Sequence, residues 1–241
     1  MGMGLSVRNI DAGYGKLQIL FNVSFTVPER KITVIVGPNG SGKSTMLKTI
    51  FGLTTIYKGE ILFEGRNIAG MAPHKIAKLG IAYVPQTDNV FGKLTVRENL
   101  KMAAYGMDES IVADRIEEVT SMFPILSERM KQRADTLSGG ERQMLAIAIA
   151  LVRRPKLMLF DEPTAALAPK IALEILDAIQ RLRDEHKITI ILVEQNAKRA
   201  LEIGDKGVLL VGGKVAFEGG ARDLLEHPDL ARMYLGLMAG E

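Results

Sequence analysis

The residue types that most plainly do chemistry lie in Gly37-Pro38-Asn39-Gly40-Ser41-Gly42-Lys43-Ser44, which satisfies the pattern G-x-x-x-x-G-K-[ST] in full. Glycines at this spacing let successive backbone N–H groups converge without Cβ clashes. Lys43 adds a point charge suited to β- and γ-phosphates, and the Ser44 hydroxyl is an oxygen ligand of the kind Mg²⁺ takes. Thr45, next along, is placed to bond an α-phosphate. A phosphate-bound Mg²⁺ also needs a carboxylate. The apolar run Leu157-Met158-Leu159-Phe160 ends in Asp161-Glu162, and sheet proteins of this class place ligands at strand ends. Asp161 would hold the ion directly or through water, and Glu162 would polarise a water for attack on a γ-phosphate. Taken alone, a strand ending in a solvated acidic turn explains that pair equally well. Ser138-Gly139-Gly140, opening an Ala-rich helical pattern, is a second helix start able to bind an anion, or a bare cap.

These residues need a scaffold that alternates strands and helices. Lys31–Val36 is a short β-branched run ending at glycine, the pattern of a buried strand, and Lys43–Phe51 reads as a helix. Gln18–Val27, Gly59–Phe63 and Ile81–Val84 read as further strands. From Val96 to about Val152 helical periodicity takes over, with Thr95 as N-cap and Glu98 three residues on; helices are expected within Met107–Pro124 and over Ser138–Arg154. After Pro155 the alternation returns. Leu157–Phe160 is a strand, Pro169–Glu185 a helix, Ile188–Val193 a strand and Ala197–Ile203 a helix; Gly207–Val211 and Lys214–Phe217 form a hairpin about Gly212-Gly213. The expected architecture is a mostly parallel sheet flanked by helices, with a helical lobe inserted between about residues 87 and 154.

Composition narrows the chemistry further. The 241 residues carry 31 Lys+Arg against 28 Asp+Glu, a net charge of +3, and no cysteine, which excludes disulfides, thiolate metal sites and thiol catalysis. The three histidines, His74, His186 and His227, lie far apart in sequence, so no histidine metal site is expected. The small basic excess is spread along the chain and reads as a solvated surface, so no nucleic-acid partner is expected. The longest apolar run, Met144–Val152, is flanked by arginines and falls well short of the ~20 residues that span a bilayer. With no secretory pattern at the N-terminus, the chain reads as an intracellular soluble protein; Met1-Gly2-Met3-Gly4-Leu5-Ser6 fits only the loose myristoylation pattern.

Leu137-Ser138-Gly139-Gly140-Glu141-Arg142-Gln143, set shortly ahead of the Asp161-Glu162 strand, resembles the signature sequence of the ATP-binding-cassette family. The resemblance runs from about Leu5 to about Leu237. It implies an α/β P-loop NTPase fold in a single domain. A core of residues 1–86 and 155–241 would include an N-terminal antiparallel β subdomain, and residues 87–154 would form an α-helical subdomain. It further implies ATP and Mg²⁺ as cofactors. A second cassette, a paralogue or the same chain, would present Ser138, Gly139 and Gly140 in trans to the γ-phosphate held by Gly37–Thr45. Tyr14, in Gly13-Tyr14-Gly15, matches the family's adenine-stacking aromatic, and Gln86, after Val84-Pro85, the glutamine that contacts Mg²⁺ or the attacking water.

Two positions depart from the family pattern. Gln195 stands where a histidine switch is usual; its amide can donate to a γ-phosphate but carries no proton or charge, which leaves Glu162 to act alone. Ala168, in Ala166-Leu167-Ala168-Pro169, replaces a usual aspartate and implies cross-talk between paired sites that is either weaker or carried by backbone. These departures, with the tail Arg232-Met233-Tyr234-Leu235-Gly236, make the chain similar to the smaller ATPase subunit of branched-chain amino acid importers and of the related urea importers. Such machines imply two integral membrane permease subunits and, indirectly, an extracytoplasmic solute-binding protein, with the ATPase peripheral on the inner face of the membrane. The family's docking surface corresponds to Gln86–Tyr105, where Phe91, Leu94 and Met102 are open either to partner contact or to core packing. Two other classes stand against this reading. A soluble DNA-maintenance ATPase usually carries coiled coils or zinc modules between Thr45 and Leu137, and this chain has no sustained heptads and no cysteine there. A small-molecule kinase would need an acceptor site, and none is evident.

Overall fold

The computed structural model describes residues 2–87 and 89–227. The tail motif 232–236 lies outside them. Two sheets form the scaffold. The smaller is antiparallel, in the order β2 (Leu17–Pro28), β1 (Met3–Tyr14), β4 (Thr55–Phe63), β5 (Arg66–Asn67). The larger runs β10 (Lys214–Gly220), β9 (Lys206–Val211), β3 (Ile32–Val36), β8 (Thr189–Val193), β7 (Leu157–Asp161), β6 (Ile81–Val84). Only β10 is antiparallel to its neighbour; it returns through Gly212-Gly213, both with positive φ, as a tight hairpin turn of this kind requires.

Every residue of β3, β7 and β8 is buried, because both faces of the large sheet are covered. The period of two divides their side chains between two cores. Ile32, Val34, Val36, Met158, Phe160, Ile190 and Leu192 face a helical layer. Ile35, Leu157, Leu159, Ile191 and Val193 face α1 (Lys43–Ile50) and the small sheet, which contributes Leu5, Leu20, Phe25 and Ile61. Each such side chain taken out of water is worth about 1.5–3 kcal/mol. A one-residue slip in any of these strands would exchange the two sets.

Between β6 and β7 the chain is helical. α3 (Val96–Ala103) begins at a Thr95–Glu98 capping box. α4 (Glu109–Met122), α5 (Pro124–Glu128) and α6 (Gly139–Leu151) follow, and α6 opens at a second box formed by Ser138 and Glu141. α2 (Pro73–Lys78) precedes β6, and α7 (Pro169–Asp184), α8 (Ala197–Ile203) and α9 (Ala221–Glu226) complete the order. No helix among the described residues is long and apolar enough to cross a membrane. Because β3, β6, β7 and β8 run parallel, their C-terminal ends lie on one edge of the sheet. The residues that follow them are Gly37, Pro85-Gln86, Glu162 and Glu194-Gln195.

Candidate active site

β3 delivers the chain into Gly37, whose φ is 149° and where a Cβ would lie 2.0 Å from the Leu210 carbonyl oxygen, so a side chain is excluded. The loop Pro38, Asn39, Gly40, Ser41, Gly42 then turns into α1 with no side-chain cap and no acidic residue in the first turn. The first intrahelical bond runs from Met46 N–H to the Gly42 carbonyl, which leaves the amides of Lys43, Ser44 and Thr45 as donors without a helical partner. The Ser41 hydroxyl is likewise buried with no partner. Lys43 is 6% exposed and donates from Nζ to the carbonyls of Gly37 (2.9 Å) and Pro38 (3.0 Å). Burial pulls its ammonium below the usual lysine range, while the charges of Glu162 and Asp161 oppose that fall. Unpaired amides, an orphaned hydroxyl and a buried cation in one turn are the donor set a polyphosphate takes.

Asp161, the last residue of β7, is 3% exposed and accepts two hydroxyls: Ser44 Oγ at 2.7 Å and Tyr83 OH at 2.9 Å. Ser44 and Asp161 thus converge as hard oxygen donors. Among the described residues no cluster of three or more His, Cys, Asp or Glu could hold a metal ion. One hydroxyl and one carboxylate fit Mg²⁺ of the kind that arrives with phosphates and keeps several waters. Glu162 has φ 48°, a left-handed conformation for a residue with a full side chain. Its N–H is anchored on the Val193 carbonyl at 2.9 Å, and its carboxylate accepts Gln86 Nε2 at 3.0 Å.

Sequence reasoning missed three participants. The sequence places Tyr83 only within a strand. Burial first, then the Asp161 charge and hydrogen bond, hold its phenol protonated far above the usual range, so it is a permanent donor to Asp161. Asn89 donates to the side-chain oxygen of Gln143 at 3.1 Å, joining the segment after Gln86 to α6. Glu194, 3% exposed, accepts the backbone N–H groups of Thr164 and Gln195. The only sequence signal for any of them was adjacency to a motif.

The chain therefore brings Lys43, Ser44, Gln86, Asp161 and Glu162 together, with Gln195 tied in by its backbone. The Gln195 side chain is exposed on a cleft of about 560 Å³ shared with Thr164, Ala166 and Leu167. Ala168 precedes α7 as an uncapped N-cap, with Pro169 in the first turn. Tyr14, 43% exposed, ends β1 beside the turn whose Gly15 carbonyl accepts Tyr57 OH at 2.8 Å. No hydrogen bond among the described residues joins Ser138, Gly139 or Gly140 to the loop of residues 37–44. Gly140 has a packing reason of its own, since a Cβ there would meet Ile171 Cγ2 at 2.4 Å. Of the proposed docking residues, Phe91 and Met102 are exposed and Leu94 is half-buried.

A family model described as ABC transporter matches residues 20–165, more than half of the chain. The chain is 55% identical over 234 residues to Probable branched-chain amino acid transport ATP-binding protein LivF of Archaeoglobus fulgidus, covering 97% of this chain and 99% of that protein. It is 41% identical over 232 residues to High-affinity branched-chain amino acid transport ATP-binding protein BraG of Pseudomonas aeruginosa, covering 96% and 99%. Among solved structures, the ADP conformation of an ATP-binding cassette of an ABC transporter superposes with a TM-score of 0.86 at 27% identity, covering 96% of this chain and 98% of that one. A cradle built for polyphosphate, a carboxylate pair at the adjoining strand end and this full-length kinship agree: the chain belongs to the ABC transporter family, as an ATP-binding and ATP-hydrolysing cassette.

Proposed function

We propose that this cassette powers an importer for branched-chain amino acids, closing on a second cassette around ATP and opening after hydrolysis. The observation that carries the hydrolytic part is the paired contact Ser44–Asp161 and Gln86–Glu162 at the head of the phosphate loop. The names of the two relatives support the choice of solute. In this reading Gly37–Thr45 bind the triphosphate, with Lys43 on the β- and γ-phosphates, and Tyr14 stacks on the adenine. Ser44, Asp161 and Gln86 would hold Mg²⁺, which when bound offsets phosphate charge. Glu162 draws the proton from the attacking water, and Gln86 orients its carboxylate. Ser138, Gly139 and Gly140 serve the ATP of the opposite cassette. The Ser138 hydroxyl accepts from Glu141 N–H at 3.2 Å and also bonds the Glu141 carboxylate, so donating to a phosphate oxygen requires its proton to turn away from that carboxylate.

The same reading divides the chain into a core of residues 1–86 and 155–241 and a helical lobe of residues 87–154. Exposed Phe91 and Met102 suit contact with two permease subunits, which would hold the cassette at the inner face of the membrane. An extracytoplasmic binding protein would supply the solute. Gln195, neutral, senses the γ-phosphate rather than moving a proton. Gln195→Ala is therefore expected to lower steady-state turnover less than Glu162→Gln does; equal losses, measured side by side, would assign Gln195 to the chemical step. The function as a whole is tested by co-purifying the cassette with its membrane subunits and assaying ATPase in lipid vesicles. Stimulation by leucine, isoleucine or valine with their binding protein is expected. Stimulation by urea instead, or a nucleotide-dependent shift on DNA with no membrane partner, would overturn it.

A further inference from the structure

Glu194 is a buried carboxylate for which the hydrolytic scheme above has no use. It follows β8, the strand hydrogen-bonded to β7, so it emerges beside Glu162 at the same sheet edge. Its Oε1 accepts the N–H of Thr164 at 3.0 Å and its Oε2 the N–H of Gln195 at 3.2 Å. The loop carrying Glu162 is thereby held at two points, by Val193 O on the Glu162 amide and by Glu194 on the Thr164 amide two residues later. Glu162 sits between the two anchors at φ 48°, a conformation that persists only where its surroundings over-determine it.

Burying a carboxylate is costly, and burial, with a smaller push from the Glu162 charge, raises the Glu194 pKa against the pull of the Thr164 side chain and of the N–H bonds from Thr164 and Gln195. Two amides from two different loops explain why a carboxylate stands there. Both partners are donors, so both oxygens must be acceptors. A glutamine offers one acceptor and would set its NH₂ against the other N–H. An apolar residue would satisfy neither.

We infer that Glu194 is a positioning residue that fixes the Glu162 loop and the Gln195 loop in a single register, so that the base and the γ-phosphate sensor meet the same phosphate. The inference rests on the reading of Glu162 as the base. It also makes a buried acid at the end of the strand next to β3, which leads into the phosphate loop, a determinant of turnover rather than of nucleotide binding.

The test is Glu194→Gln in the full chain, with ATPase kinetics, ATP affinity and thermal midpoint measured against wild type, Glu162→Gln and the double variant. We expect kcat to fall about 10- to 100-fold, the scale on which a displaced catalytic group loses rate, with KM for ATP within about three-fold. Because Glu194 acts through Glu162, adding Glu194→Gln to Glu162→Gln should cause little further loss. A kcat within three-fold of wild type overturns the inference, as does a loss that multiplies fully in the double variant or that comes with an equal loss of ATP binding. If Glu194→Gln does not fold, Glu194→Asp, which keeps both oxygens on a shorter stem, is read by the same criteria. A wild-type chain that fails to hydrolyse ATP, or a Glu162→Gln variant as fast as wild type, would instead refute the underlying assignment of the base.

Discussion

Glu162→Gln should slow ATP hydrolysis about 10²–10⁴-fold while ATP remains bound, the range expected when a general base alone is lost. The substitution is nearly isosteric. The left-handed backbone at Glu162 and its amide bond to Val193 O do not involve the carboxylate, so the loop should keep its path. The Gln86 Nε2 contact at 3.0 Å can be retained on the remaining side-chain oxygen. What disappears is the ability to take a proton, and Gln195, which stands where a histidine is usual, cannot supply it. The phosphate cradle and the Ser44–Asp161 pair are untouched, so ATP affinity should change little. The measurement is steady-state turnover beside nucleotide binding on one preparation. Turnover within a few-fold of wild type would remove Glu162 from the role of base.

How much of this site could be read from the chain depends on how local each feature is. The phosphate loop is contiguous, and one β-branched strand and one helix determine its shape, so the strand–loop–helix form about Gly37–Gly42 was legible outright. The strand Ile81–Val84 and the helix Ala197–Ile203 were legible to the residue, each bounded by proline, glycine or a capping asparagine. β1 was not. Its register shifts between Val7 and Ile10 and again between Ile10 and Ala12, and Asn9 has φ 49°, so its apolar residues do not keep the period of two that marks a strand. α2 was missed because one buried residue, Ile76, leaves no amphipathic stripe to detect. Tyr83 and Glu194 failed for a different reason. Their partners, Asp161 and Thr164, are remote in sequence and meet them only because β6, β7 and β8 pair in parallel. No local pattern carries that information.

The trans role of Ser138 has a competing explanation inside the chain, and a pair of substitutions separates the two. Ser138 caps α6: its Oγ accepts Glu141 N–H at 3.2 Å and its own N–H donates to Glu141 Oε2 at 2.8 Å, which holds that carboxyl below its usual range. Losing such a cap costs about 0.5–2 kcal/mol, whatever the residue does in trans. Ser138→Ala removes the cap and the hydroxyl donor but adds no bulk. Ser138→Arg removes the same cap and also sets a long cation at an exposed helix start that would face the opposing cassette. If capping were the whole role, both variants should lose a similar few degrees of thermal midpoint and keep ATP-dependent dimerisation. If the trans reading holds, both should bind ATP nearly as wild type. Ser138→Arg alone should then stay monomeric with ATP on a Glu162→Gln background, where hydrolysis cannot reopen the pair. Its turnover should fall at least about 10²-fold, because the cost falls only on the closed state. A gel-filtration shift to dimer by Ser138→Arg in saturating ATP would break the link between the α6 tip and a second nucleotide, and with it the closing motion proposed to drive transport.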